Sequence, residues 1–378
     1  MLAAAIILLF ATADREVLFA SRHEAVSPLG TWVPLPLPGC GVGERCGRLA
    51  LASGMTFNCR FAGPEQSSTN VLLLHGFPEF SSMYSPLMAQ MARLGWRSLA
   101  CNQRGYSEGA SPADEEAYEY AKLASDAVAT ATVAGFADGF HLIGHDHGGF
   151  LGWFMAQNLT YGHLLRSFTT LSSMHPVPFS QALFGPNADE QQVVASQYFT
   201  MFCLPNSSSL HHKFWFRLLG QTAGSDLGFS FTNASAFQKA IWWYGDAFLL
   251  DGIVAMPPVM SVDELATKDE FVAYTRSVFG ETVPWNSEGF AATHPVGYVH
   301  VPTLFVCGTA DTALLCTRPY ALETANYVVG AQYTYTQADT LHLIALAPQP
   351  PPSHRSLARG SIKSTNCLRT AADCGLRS

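Results

Sequence analysis

The sequence predicts an α/β protein: a mostly parallel sheet with helices on both faces, interrupted late in the chain by a helical block. Three observations carry this reading. Short apolar runs of strand type alternate with longer helical patterns from about residue 70 to residue 171. Between about 177 and 289 the rhythm stops, and aromatic residues at helical spacing take over. The strand signal then returns at "VPTLFVCG", Val301 to Gly308. Strand–helix alternation is what parallel strands joined by crossover helices require. Short, uninterrupted apolar runs read as strands buried on both faces.

Taken in order, Val71 to Leu74 is a buried-strand signal and Tyr84 to Leu94 has helical spacing. Trp96 to Cys101 reads as a strand, and Glu116 to Val133 as a long Ala-rich helix. Phe140 to Ile143 is a strand, Gly148 to Gln157 a helix and Ser167 to Leu171 a strand, with "QYTYT" (Gln332 to Thr336) adding another after the block. The expected organisation is a candidate signal peptide at 1–13, an N-terminal extension at 14–47, an α/β core at 48–176 and 290–348, a helical cap at 177–289, and a disordered or aberrant tail at 349–378. The tail is Pro-rich at "PQPPPSHRS" and then basic and Ser-rich, a composition that does not build a core.

With 48% hydrophobic and 13% charged residues in 378, the chain is globular, not disordered. Its net charge of −8 is spread along the sequence without a basic stripe, which argues against nucleic acid as a partner. The opening "MLAAAIILLFATAD" holds an apolar run ending in Ala11-Thr12-Ala13. The run is too short to span a bilayer and has the form of a secretory h-region with an A-x-A cleavage site. An ordinary apolar N-terminus or a short anchor would look similar, so the location is secreted or endomembrane, with cytoplasmic as the alternative. Asn-x-Ser/Thr triplets at Asn158, Asn206 and Asn233 suit a glycoprotein on that route.

The chain has nine cysteines. Cys40 and Cys46, close together in a Gly/Pro-rich stretch, are expected to form a small disulfide loop, whereas Cys101 and Cys307 lie in apolar strand-like runs and are expected as buried thiols. No C-x-x-C pair supports structural zinc. "GCGVGERCG" follows prolines, not a strand, and does not fit a dinucleotide fingerprint.

The chemistry starts at "GHDHG", Gly144 to Gly148. Its spacing is that of G-x-S-x-G, where a strained strand-to-helix turn exposes the central side chain, but Asp146 stands in place of serine. A polar turn before a helix gives the same five letters, so the motif needs company. "LLLHGFPEF", Leu72 to Phe80, supplies it: a strand runs into His-Gly-x-Pro where an oxyanion donor is wanted. That donor is the backbone N–H of Phe77, and the second is the N–H of His147.

HGFPE and GHDxG about 70 residues apart, with "NQRGYSEGASP" (Asn102 to Pro112) between them, strongly resemble the epoxide hydrolase branch of the α/β-hydrolase superfamily. The resemblance covers roughly residues 50 to 348 and implies the α/β-hydrolase fold. It implies Asp146 as nucleophile, Asp311 of "CGTADTALL" as the charge-relay acid and His342 of "ADTLHLIALAP" as the base. It also implies two cap tyrosines that hold the epoxide oxygen: Tyr198 of "SQYFTMFCLP" and Tyr244 of "AIWWYGDAF". No metal or organic cofactor is implied, and the partners are a small apolar epoxide-like substrate and water.

Aspartate is the right nucleophile for such chemistry. Attack on an sp³ carbon makes an alkyl ester that histidine-activated water then cleaves, whereas serine specifies acyl transfer. Three features depart from the family pattern. His147 replaces the usual Trp, and Asn102 replaces an Asp of structural role. Glycines are missing before His342, and the Glu-x-Pro and closing helix are missing after Leu346, as an altered reading frame would produce. The rival readings are a dehalogenase with the same Asp-His-Asp set and a catalytically silent binding protein that keeps the fold.

Overall fold

The computed structural model describes residues 30–184, 187–196, 234–246 and 298–338. Their frame is one nine-stranded sheet in the order β1-β2-β3-β5-β4-β6-β7-β8-β9. The strands are β1 (Gly30–Pro34), β2 (Arg45–Leu51), β3 (Thr56–Ala62), β4 (Asn70–Leu74), β5 (Arg97–Cys101), β6 (Phe140–His145), β7 (Leu165–Leu171), β8 (Thr303–Gly308) and β9 (Tyr333–Ala338). Pairings from β5 through β4 to β9 are parallel; those among β1, β2, β3 and β5 are antiparallel. The stretch expected as an N-terminal extension thus contributes β1 and the start of β2 to the sheet.

The central strands are buried along almost their whole length: β6 and β8 are buried at every position and β4 at four of five. That follows from helices on both faces, and it explains the apolar runs in the sequence. Helix α1 (Ser85–Arg93) has a proline in its first turn, where no N–H is missed. Helix α2 (Tyr120–Val133) starts four residues later than the sequence predicts. Residues Glu115–Tyr118 form a separate 3₁₀ turn, and extended Glu119 (φ −56°, ψ 144°) divides it from the helix. Helix α3 (His147–Gln157) is buried along most of its length against β6 and β7. A Cβ on its Gly152 would run into the ring of Phe168, so glycine sets that close approach.

Three disulfides cross-link the described residues. Cys40–Cys46 closes the small loop as expected. Cys101, expected as a buried thiol, is instead bonded to Cys59, which faces it in the β3–β5 register with Cα atoms 4.0 Å apart. Cys307, also expected as a thiol, is bonded to Cys316. The correction has one cause. Apolar neighbours signal burial, and a buried half-cystine carries the same neighbours as a buried thiol; only strand register or loop path supplies the partner.

From the region between the two halves of the sheet, the structure describes helices Pro176–Phe184 and Glu190–Ala195 and, further along, α4 (Ala234–Ile241) and the short α5 (Trp243–Asp246). Helices α4 and α5 rest on the loop after β5. Trp243 Nε1 donates to the Arg104 carbonyl at 2.8 Å, and Lys239 Nζ to that of Ser111 at 2.9 Å. That loop is itself anchored, because Arg104 pairs with Asp126 of α2 through two bonds of 2.7 and 2.8 Å. Asn102 accepts from the N–H and hydroxyl of Ser81 at 3.0 and 2.6 Å, a structural role for the residue that departs from the family pattern. No helix among the described residues is long and apolar enough to cross a membrane.

Candidate active site

The C-terminal ends of β4, β5, β6 and β8 lie along one edge of the parallel sheet, where open α/β sheets bind ligands. Asp146 stands there at the crest between β6 and α3. Its backbone has φ 51° and ψ −121°, a conformation that costs a non-glycine residue about 1–3 kcal/mol. The neighbouring glycines make the turn sterically feasible. A Cβ on Gly144 would collide with the carbonyl of Gly148, one on Gly148 with that of Leu74, and one on Gly76 with Asp146 itself. The strained carbonyl of Asp146 is held by the N–H groups of Gly149 (2.8 Å) and Phe150 (3.0 Å) and by Ser173 Oγ (2.7 Å).

The Asp146 residue is only 2% exposed. Its Oδ1 accepts the backbone N–H of Phe77 at 2.8 Å, a contact across 69 residues of sequence. The second expected donor, the N–H of His147, belongs to the first residue of α3 and so has no partner within the helix. The structure therefore places Phe77 and His147 beside Asp146.

His75 locks the Phe77 loop in place. Its Nε2 accepts the N–H of Gln103 at 3.0 Å, so Nδ1 carries the proton and donates to the Gly76 carbonyl at 2.9 Å. The Gln103 amide donates in turn to the His75 carbonyl at 2.6 Å. Burial pushes the His75 pKa down to about 4, which keeps the ring neutral. The motif containing His75 was legible in the sequence, but the Gln103 partner 28 residues away was not.

Tyr244 is 1% exposed and lies over the site: its ring meets His147 edge-on at 4.1 Å and Phe77 at 5.7 Å. Trp243 stacks near His75 at 5.6 Å, and Tyr106 closes the same aromatic layer at 4.8 Å from Trp243. Burial, reinforced by the charge of Asp146, raises the Tyr106 pKa well above that of a free phenol. Sequence reasoning missed Tyr120, whose hydroxyl lies 3.3 Å from His147 Nδ1. Its position at the start of the Ala-rich helix was the only available signal.

Asp311 follows β8 and is 6% exposed. Its Oδ1 accepts the N–H groups of Ala313 and Leu314, each at 2.9 Å. The Cys307–Cys316 disulfide spans the nine-residue stretch that carries it. His342 and Tyr198 lie outside the described residues. Among the described residues, Cys40, Glu44 and Cys46 form a cluster of metal-ligand types, but its sulfurs are joined to each other and buried Arg60 lies 3.3 Å from Glu44. A cationic ligand set is therefore disfavoured there.

The family described as the alpha/beta hydrolase fold matches residues 69–209. Epoxide hydrolase 4 of Mus musculus is 29% identical over 172 residues, 44% of this chain and 46% of that protein. Epoxide hydrolase A of Mycobacterium tuberculosis is 27% identical over 296 residues, 72% of this chain and 84% of that protein. A solved structure described as one of the novel epoxide hydrolases from metagenomes of hot environments overlays with a TM-score of 0.57. It is 22% identical and covers 79% of this chain and 93% of that one, a likeness of fold. The chain spans about half the length of the curated relatives first matched.

Proposed function

We propose that this chain, an α/β-hydrolase-fold protein of epoxide hydrolase-like sequence, hydrolyses epoxides to vicinal diols through a covalent ester on Asp146. One observation carries the proposal: a carboxylate at a strained strand-to-helix crest, with Oδ1 bound to the Phe77 amide. That bond holds Oδ1 towards the amide, and Oδ2 is the oxygen that attacks a ring carbon in this scheme. The C–O bond of the epoxide breaks as the ester forms, and the departing oxygen takes a proton from the phenols of Tyr244 and Tyr198. Phenols of pKa near 10 are protonated at neutral pH and suit that role. Water, deprotonated by His342 with Asp311 orienting the ring, attacks the ester carbonyl. The resulting oxyanion forms on the former Oδ1, against the N–H groups of Phe77 and His147. Collapse releases the diol and restores the carboxylate.

Single turnover in H₂¹⁸O tests the scheme. The label should enter Asp146 while the first diol released carries unlabelled oxygen, and Asp146→Ala should lower turnover at least about 10³-fold. Label appearing directly in the first diol would exclude the ester. Halide release from a haloalkane without diol formation from epoxides would favour the dehalogenase reading, and no turnover by folded protein would favour a binding protein.

We propose further that the chain follows a secretory route. Two of the three disulfides among the described residues are buried in the core, and such bonds persist in oxidising compartments. Secretion of the folded protein into the medium of a eukaryotic host is the expected result. Retention in the cytosol with reduced thiols would refute it.

A further inference from the structure

The mechanism uses the backbone of His147 and leaves its side chain without a task. That side chain is buried, polar and half satisfied, directly beside Asp146. His147 is 2% exposed, and its ring sits between Tyr120 and Tyr244 on the residue that follows the nucleophile. Nδ1 is bound to the Tyr120 hydroxyl at 3.3 Å. Nε2 has no hydrogen-bond partner among the described residues. Burial holds the pKa down at about 4, so the ring does not gain a charge to draw in water at neutral pH.

A buried polar atom without a partner is costly, and native structures retain few of them. Among the described residues its other ring neighbours are Trp243 at 5.8 Å and Phe150 at 6.4 Å, whose faces offer a nitrogen at most a weak contact. The atom is therefore one that a ligand completes.

We infer that His147 Nε2 is a specificity-determining group that pairs with a hydroxyl on the substrate, so that the preferred epoxides carry a hydroxyl group beside the ring. This rests on the proposed epoxide chemistry at Asp146. A hydroxyl is the matching group for either ring tautomer. If Tyr120 donates to Nδ1, Nε2 bears the proton and the hydroxyl accepts; if Nδ1 donates, Nε2 accepts from the hydroxyl. A hydrocarbon epoxide of the same shape leaves Nε2 unpaired in the complex and after ring opening. Sites built to pair with a hydroxyl reject the analogue that lacks it much more strongly than apolar pockets reject an added one.

The test compares 3-phenylglycidol with 2-ethyl-3-phenyloxirane, which replaces the hydroxyl by a methyl group at nearly constant shape. Wild-type protein should favour the alcohol by roughly 10- to 100-fold in kcat/KM. His147→Phe should bring that ratio close to one, and His147→Gln, whose amide reaches a similar point and both donates and accepts, should restore much of it. Diol formation from both substrates at equal efficiency by the wild type would overturn the inference while leaving the epoxide chemistry intact. A preference that survives in His147→Phe would also overturn it. No diol from either substrate would remove the underlying reading, and the inference with it.

Discussion

Asp146 and Asp311 are the same side chain at the ends of two parallel strands of one sheet, yet the fold holds them in opposite ways. Asp146 depends on distant parts of the chain. Its carboxylate is met by an amide 69 residues away, its carbonyl by Ser173 of the next strand's exit, and its backbone angle by glycines on two different elements. Asp311 is satisfied by its own loop, through the amides two and three positions on, in an Asx-type turn. A disulfide nine residues long then ties that loop back to its strand. A nucleophile has to be presented at one point in space, so many elements share the work of fixing it. The acid role proposed for Asp311 asks for a steady loop, which the two local bonds to Oδ1 help to supply.

The comparison breaks most visibly at the glycines. Gly148→Ala would place a methyl group against the Leu74 carbonyl, where strand and helix backbones approach each other and neither can retreat. We expect a loss of roughly 2–4 kcal/mol in stability, from overpacking and local backbone strain, together with loss of activity. Urea unfolding followed by circular dichroism measures the first. Wild-type stability in this variant would show that the crest has slack the structure does not show.

A smaller effect is expected on the acid side. With Cys307 and Cys316 both replaced by alanine, the Asp311 carboxylate keeps its two amides but its loop loses the tie to β8. In the proposed scheme, ester formation on Asp146 does not involve Asp311, whereas hydrolysis of the ester does. The alkylated enzyme should therefore accumulate, with the hydrolytic step slowed about 10-fold or more and the burst of ester formation preserved. Rapid-quench mass spectrometry of the intact protein reads both steps. Equal slowing of both would place the disulfide's role in the whole fold and not in the acid loop.

The two aspartates also mark what the sequence makes legible. The crest at Asp146 was readable because its needs appear as letters: glycines two residues to either side, an apolar run before, a His-Gly-x-Pro on a neighbouring strand. The strands β4, β5, β6 and β8 were readable because burial on both faces favours the apolar runs at their centres. By contrast, β1 has no buried position and β2 mixes exposed with buried ones, and the pairing of β1 with β2 and of β2 with β3 depends on contacts no local window contains. The partners of Cys101 and Cys307 were hidden for the same reason, since register and loop path decide them. Tyr120 and Gln103 reach the site across turns of loop and helix, so their sequence positions gave no hint of it. Tyr198 and His342 lie outside the described residues, so those two assignments rest on the sequence alone.

The smallest expected effect concerns a histidine near the site but outside it. His175, after β7, is fully buried, stacked on Tyr327 at 4.0 Å and 2.7 Å from the Gln157 amide. Its Nδ1 accepts the N–H of Val177 at 3.2 Å, which puts the ring proton on Nε2 and the Gln157 oxygen towards it. Burial pushes its pKa down to about 3, against about 6.5 in an unfolded chain. Between those values the unfolded state binds a proton that the folded state refuses. The stability is therefore fully present above about pH 6.5 and declines as pH falls towards 3, at about 1.4 kcal/mol per pH unit for this one group. His75, His141 and His147, each lowered to about 4 mainly by burial, add to the same slope over a narrower window. His175→Gln should cost some stability at pH 7 and reduce the slope of unfolding free energy against pH by close to one proton. An unchanged slope between pH 6 and 5 would mean that His175 already accepts a proton in the folded protein, and that the space around Tyr327 is open to water.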